Sequence, residues 1–127
     1  METTVTIDGR EVRFRATAAV PRLYRIKFRR DILEDFRTIQ AEMEKAKENG
    51  QGGSTLPIQA LTLFEDIAYI MAKHADKDAV PADPDEWLES FGTFSIYQIF
   101  PVIKALWDCN TEALDVAKKK LDQSTGT

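Results

Sequence analysis

Apolar and polar side chains alternate on both sides of the pair Asp8-Gly9 near the start of the chain. The alternating apolar residues are Val5, Ile7, Val12 and Phe14. Alternation predicts strands with one buried face, and Asp-Gly favours a type I′ turn because both turn positions need positive φ. The pattern therefore predicts a β-hairpin over residues 3–15, with strands near 3–7 and 10–15, whose apolar face packs on helices or on another subunit.

From residue 18 the pattern becomes helical, with one change of phase. When residues 21–36 are placed on one helical wheel, the apolar side chains before Arg29 and those after Asp31 lie on roughly opposite sides. One helix cannot bury both sets, so the pattern predicts two helices with a break near 29–31 and Asp31 as the N-cap of the second. Three cations then lie on the outer face of the first helix: Arg22, Arg25 and Arg29.

Residues 54–76 have the most regular helical periodicity and predict a central helix. Its apolar stripe contains Leu61, Phe64, Ile67, Ala68, Met71 and Ala75. Asp83 followed by Pro84 predicts the start of a short helix that displays Trp87, Leu88 and Phe91. Ser95 begins the next helix, whose apolar positions are Ile96, Ile99, Phe100, Ile103, Leu106 and Trp107. Pro101 either kinks this helix or splits it.

These elements predict a mainly α (α+β) fold, with an N-terminal β-hairpin followed by five or six helices in a single compact domain. The helical part covers residues 18–120. Gly-rich residues 49–55 predict a flexible loop within the domain, and residues 121–127 predict a disordered tail after a last, weakly amphipathic helix.

Composition excludes several classes of protein. The chain has 127 residues, is 43% hydrophobic and 30% charged, and carries a net charge of −4. No apolar run approaches the roughly 18 residues of a membrane span, and the first residues lack the basic and apolar regions of a secretory signal. The sequence therefore predicts an intracellular protein with no membrane association.

The charges are unevenly distributed along the chain. Nine of the seventeen Lys and Arg residues lie between Arg10 and Arg37, whereas the segment from Asp76 to Glu89 holds six carboxylates against one lysine. Such a basic N-terminal region and acidic central segment favour ion pairing between segments or with protein partners. They are less typical of an enzyme pocket.

Candidate chemistry is sparse. The only histidine, His74, is interpreted as a surface or helix-C-terminal residue that interacts favourably with the helix dipole, and the only cysteine, Cys109, as partly buried and inert. The acidic segment has no EF-hand spacing, and the glycines near residue 50 have no P-loop ending. We predict no catalytic, metal-binding or cofactor-binding residues, and therefore no enzyme.

Taken together, the segments resemble the tail assembly chaperones of long-tailed phages and prophages. The resemblance extends from about Thr4 to Lys120. It is carried by Arg22–Arg25, Phe28 with Arg30-Asp31, Ala68–Ala72, Glu86–Leu88 with Phe91, and Leu106-Trp107. At Arg29 the chain departs from the family pattern, in which glycine is frequent.

The resemblance implies a small, helical, non-enzymatic protein of the bacterial host cytoplasm that is absent from the mature virion. Such a chaperone binds the tape measure protein, keeps it soluble and helps to recruit major tail (tube) protein, with self-association as a further expectation. The resemblance also implies a programmed frameshift near the end of the reading frame, for which Lys118–Lys120 provides a compatible sequence.

Partner binding is predicted for apolar groove positions and for the basic patch. The predicted residues are Phe64, Met71, Trp87, Phe91 and Trp107, with Arg22, Arg25 and Arg29 as an orienting patch. Each aromatic has ordinary core packing as its alternative, and the arginines have simple solvation. Two other functions stay open: a small DNA-binding regulator that uses the basic first helix, and a helical adaptor unrelated to phages. The phase change and the acidic balance disfavour nucleic acid.

Overall fold

The computed structural model describes residues 1–48 and 56–109. Within these ranges a two-stranded hairpin precedes five helices in one mainly α domain, which confirms the predicted fold class. The elements are β1 (Glu2–Ile7), β2 (Arg10–Arg15), α1 (Val20–Phe28), α2 (Ile32–Glu48), α3 (Ile58–Ala75), α4 (Pro84–Glu89) and α5 (residues 96–109). The predicted loop at 49–55, last helix and tail at 121–127 lie outside the described residues.

The hairpin forms as the alternation predicts. Asp8 and Gly9 have φ values of 53° and 77°, the two positive values that a type I′ turn requires. The register pairs Val5 with Val12, so the apolar side chains share one face. That face packs β2 against α3, with Phe14 completely buried, which confirms that the ribbon is supported by a helix.

The predicted break between the first two helices is confirmed. Arg29 closes α1 in the left-handed conformation, with φ 60° and ψ 34°, and its N–H donates to the carbonyl of Arg25. Asp31 then caps α2, because its Oδ1 accepts from the N–H of Leu33 at 2.9 Å. The change in chain direction allows both Tyr24 and Ile32 to be buried.

Helix α3 is the central element, as its periodicity predicts. It contacts β2, α1, α2 and α4. The buried set covers most of its circumference: Ala60, Leu63, Phe64, Ile67, Ala68, Tyr69, Ile70, Met71 and Ala72. Even so, neither α3 nor another helix of the described ranges is long and apolar enough to cross a membrane.

The last two described helices follow their predicted caps and stripes. Asp83 caps α4 by accepting from the N–H of Asp85 at 3.0 Å, and Pro84 is the first helical residue. Helix α5 continues through Pro101 without splitting. All six of its predicted apolar positions are buried: Ile96, Ile99, Phe100, Ile103, Leu106 and Trp107.

Candidate functional site

Helix α1 exposes a row of cations. Arg22 and Arg25 lie one turn apart, and Arg29 follows one turn later at the helix end, so the three share one side of the helix. All three side chains are exposed, and none forms an ion pair with a carboxylate of residues 1–48 or 56–109. The predicted arginine patch is therefore exposed, and no carboxylate of the described residues neutralises its charge.

Two large apolar side chains lie beside this row. Ile26 is 62% exposed and Leu23 is 37% exposed, and the wheel places Ile26 next to Arg22 and Leu23 beyond Ile26. We call Arg22, Leu23, Arg25, Ile26 and Arg29 the outer face of α1. Its far edge is Lys27, which is already engaged because its Nζ donates to the carbonyl of Ala82 at 2.8 Å.

The opposite side of α1 holds a cluster of polar groups around Arg30. The Arg30 guanidinium contacts Asp35 Oδ2 at 2.9 Å, Asp66 Oδ2 at 2.5 Å and the Tyr24 hydroxyl at 2.9 Å. Tyr24 in turn donates to Asp35 at 2.5 Å. These four residues, which we call the inner cluster, join the end of α1 to α2 and α3.

The electrostatics of the inner cluster favour a neutral Tyr24 and a charged Arg30. Burial and the hydrogen bond to Asp35 raise the pKa of Tyr24, so this hydroxyl stays protonated and remains a donor. Burial alone would lower the pKa of Arg30, but the hydrogen bonds to Asp66 and Asp35 raise it. The pKa of Asp66 is raised by burial, against the opposing effect of Arg30. The guanidinium therefore offsets the cost of placing two adjacent carboxylates in a largely buried position.

A second polar contact anchors the segment before α1. Thr17 Oγ1 lies 2.8 Å from His74 Nε2 in the last turn of α3, and it also accepts from the N–H of Ala19. Burial, followed by the charges of Arg15 and Lys77, lowers the pKa of His74. The histidine lies in the last turn of α3, as predicted, and its lowered pKa favours the neutral imidazole.

The five apolar residues predicted to form a partner groove are buried in the described fold. They are Phe64, Met71, Trp87, Phe91 and Trp107, each less than a tenth exposed. The Trp87 ring packs edge-on against Tyr69 and Phe91, and Trp107 stacks on Phe36 with ring centroids 5.3 Å apart. Their placement matches ordinary core packing, and no surface groove formed by these five residues is present in the described ranges.

The hairpin arginines that line a cleft of the described fold are engaged within the fold. A cleft of about 720 Å³ lies between β2 and α4. Arg10 donates to Ser90 Oγ at 2.9 Å and lies over the Phe91 ring, while Arg13 pairs with Glu2 and Asp76. These arginines tie the hairpin to its neighbours, unlike those of the outer face of α1.

Other candidate chemistry does not assemble in the described residues. No group of three or more His, Cys, Asp or Glu side chains in residues 1–48 and 56–109 is arranged to hold a metal ion. Cys109 is exposed, which corrects the expectation that it is partly buried.

The sequence interpretation missed the inner cluster, although a signal was present. Asp35 occupies an apolar-stripe position of α2, between Ile32 and Ile39, and is the buried charged residue of that helix. Asp66 lies on α3 among buried neighbours in the same way. Two acids on apolar faces indicate a buried cation between the helices, but the wheel alone does not identify which arginine supplies it.

Comparisons with known protein families, with curated proteins and with solved structures find no match for this chain.

Proposed function

We propose that this protein is a non-enzymatic binding protein, and specifically a tail assembly chaperone that binds the tape measure protein of a long-tailed phage or prophage. It keeps that long helical protein soluble, helps to recruit tube subunits and leaves before the virion is complete. The cytoplasm of the bacterial host is the proposed location.

The observation that supports the proposal best is the outer face of α1. It presents Leu23 and Ile26 to solvent beside three guanidinium groups that the described fold leaves without ion pairs. Exposed apolar side chains next to unused charges are typical of a protein-binding surface. The family resemblance, carried by the same stretch of sequence, supports a helical partner.

The same three arginines are also the observation that favours the second candidate, a DNA-binding regulator. Duplex binding by such a row would weaken steeply with salt. The apolar pair beside the row and the net charge of −4 favour the chaperone. No detectable binding to a duplex at low salt would end the nucleic-acid hypothesis.

Co-expression tests the proposed function. We expect the very long helical protein encoded immediately downstream to be largely insoluble when expressed alone and soluble when this chain is present, because its apolar stripes would be covered. An unrelated folded protein of similar size serves as the control. Equal insolubility with and without this chain would refute the proposal.

A further inference from the structure

We infer that the outer face of α1 binds one amphipathic helix of the partner, in which an apolar stripe is edged by Asp or Glu side chains. The inference deepens the proposed function by naming the surface and the chemistry of the partner segment. It rests on charge complementarity and on the geometry of α1.

The shape of the outer face suits a helix. Leu23 and Ile26 form an i, i+3 pair, which is one of the ridges that pack into the groove of a second helix. The nine residues of α1 span about 13 Å, enough for two to three turns of a partner. The buried inner side holds α1 in place, so little conformational entropy is lost on docking.

The positive charge of the outer face favours a partner helix with acidic side chains along the edge of its apolar stripe. Arg22, Arg25 and Arg29 are spaced by three and four residues. Carboxylates spaced by three or four residues on a partner helix have the same rise and would meet these guanidiniums in register. Arg-carboxylate pairs are strong and directional, so an acidic edge next to an apolar stripe complements both halves of the face.

The acidic helix α4 of a second copy does not offer this surface. The acidic segment includes α4, but Trp87 of that helix is buried in the core and cannot pack on Leu23 and Ile26. A duplex would satisfy the arginines but would leave the two apolar side chains against water or phosphate. A separate helix with acidic edges satisfies both sets.

Two synthetic helices of about 18 residues provide the probe, long enough to be helical in water. Both carry the same leucine stripe, edged by Glu in one and by Lys in the other, and fluorescence anisotropy measures their binding to the full chain. We expect the Glu-edged helix to bind at least about tenfold more tightly, with affinity that falls as salt rises. Equal affinities, or no binding of the Glu-edged helix, would overturn the inference.

Matched variants locate the binding face. Ile26→Ser should weaken binding of the Glu-edged helix about tenfold. Ile58→Ser removes a similar side chain, 82% exposed at the start of α3, and should change nothing. The triple variant Arg22→Glu, Arg25→Glu, Arg29→Glu should reverse the preference in favour of the Lys-edged helix. Circular dichroism confirms that each variant is folded; loss of binding in Ile58→Ser but not in Ile26→Ser would place the site elsewhere.

Further readouts separate this inference from its rivals and from the proposed function. If the chain binds a duplex more tightly than the Glu-edged helix, the face binds nucleic acid and the inference is refuted. If the chain self-associates and Ile26→Ser abolishes that association, the face binds a second copy and the inference is likewise refuted. If the triple variant still solubilises the tape measure protein fully, the chaperone function stands and this face is not its binding surface. If the peptide results hold but the tape measure protein stays insoluble, the face is confirmed and the chaperone function fails.

Discussion

The two sides of α1 carry similar residues and use them in opposite ways. The outer face places Arg22, Arg25 and Arg29 beside exposed aliphatic side chains, without ion pairs in the described residues. The inner side places Arg30 against Tyr24 and Phe28, with its guanidinium 5.5 and 5.4 Å from the two ring centroids and in contact with two carboxylates. An arginine beside apolar side chains therefore either has a structural role or is available to a partner, according to whether carboxylates from other helices contact it.

The difference follows from where each arginine stands relative to the helix break. Arg29 takes the left-handed conformation that ends α1, and Arg30 is then directed toward α2 and α3. The Thr17–His74 contact holds the chain ahead of α1 in a similar way. Helix α1 is therefore held by polar contacts near both ends, which keeps its outer face in a defined position.

The largest effect is expected from Arg30→Ala. It would leave the largely buried carboxylates of Asp35 and Asp66 without their cation, and should lower the free energy of unfolding by about 2–4 kcal/mol. This is less than for a fully buried pair, because the Arg30 side chain is 36% exposed. Urea denaturation measures the change. Arg22→Ala on the outer face is the control and should change the free energy of unfolding by less than about 0.5 kcal/mol. Equal effects of the two variants would contradict the proposed difference between the two sides of α1.

Tyr24→Phe isolates the hydroxyl of the inner cluster while keeping the buried ring. Asp35 loses a donor and Arg30 loses an acceptor, so we expect a loss of about 1–2 kcal/mol by urea denaturation. Tyr97→Phe, at a half-exposed tyrosine of α5, is the matched control. A Tyr24→Phe protein as stable as the parent would show that the ring alone anchors α1.

The contact ahead of α1 makes stability depend on pH. Because the pKa of His74 is lowered in the folded chain, the unfolded chain binds more protons between that value and the ordinary 6.5. The contribution of His74 to the free energy of unfolding is therefore complete above pH 6.5 and is lost as the pH falls below that value. His74→Gln should flatten the decline in thermal midpoint as pH falls below about 6.5. An unchanged decline would mean that protonation of His74 does not cause it.

The smallest effect is expected from Arg29→Gly, which tests whether the fold needs this outer arginine at all. A non-glycine residue at φ 60° carries a backbone cost of about 1 kcal/mol or more, offset in part by the greater freedom of glycine in the unfolded chain. We expect stability to be unchanged or to rise by up to about 1 kcal/mol in urea denaturation. A loss above about 0.5 kcal/mol would show that the Arg29 side chain has a structural role.

The local sequence determined the elements of this protein. Short-range backbone preferences and periodicity account for the Asp8-Gly9 turn, the break at Arg29, the caps Asp31 and Asp83 and the apolar stripe of α5. Each of these features depends on residues within one or two turns of one another, so no knowledge of the packing was needed.

Only the tertiary structure decided which side chains are available to a partner. The sequence left open whether the stripe residues Phe64, Trp87 and Trp107 line a groove or belong to the core. All three are buried by helices that are distant in the chain. Asp66, which is 36 residues away from Arg30 in the chain, forms an ion pair with Arg30 and none with Arg29. Arg30 therefore has a structural role, whereas Arg29 is available to a partner. Such pairings depend on how helices pack against one another, which periodicity within a single helix does not specify.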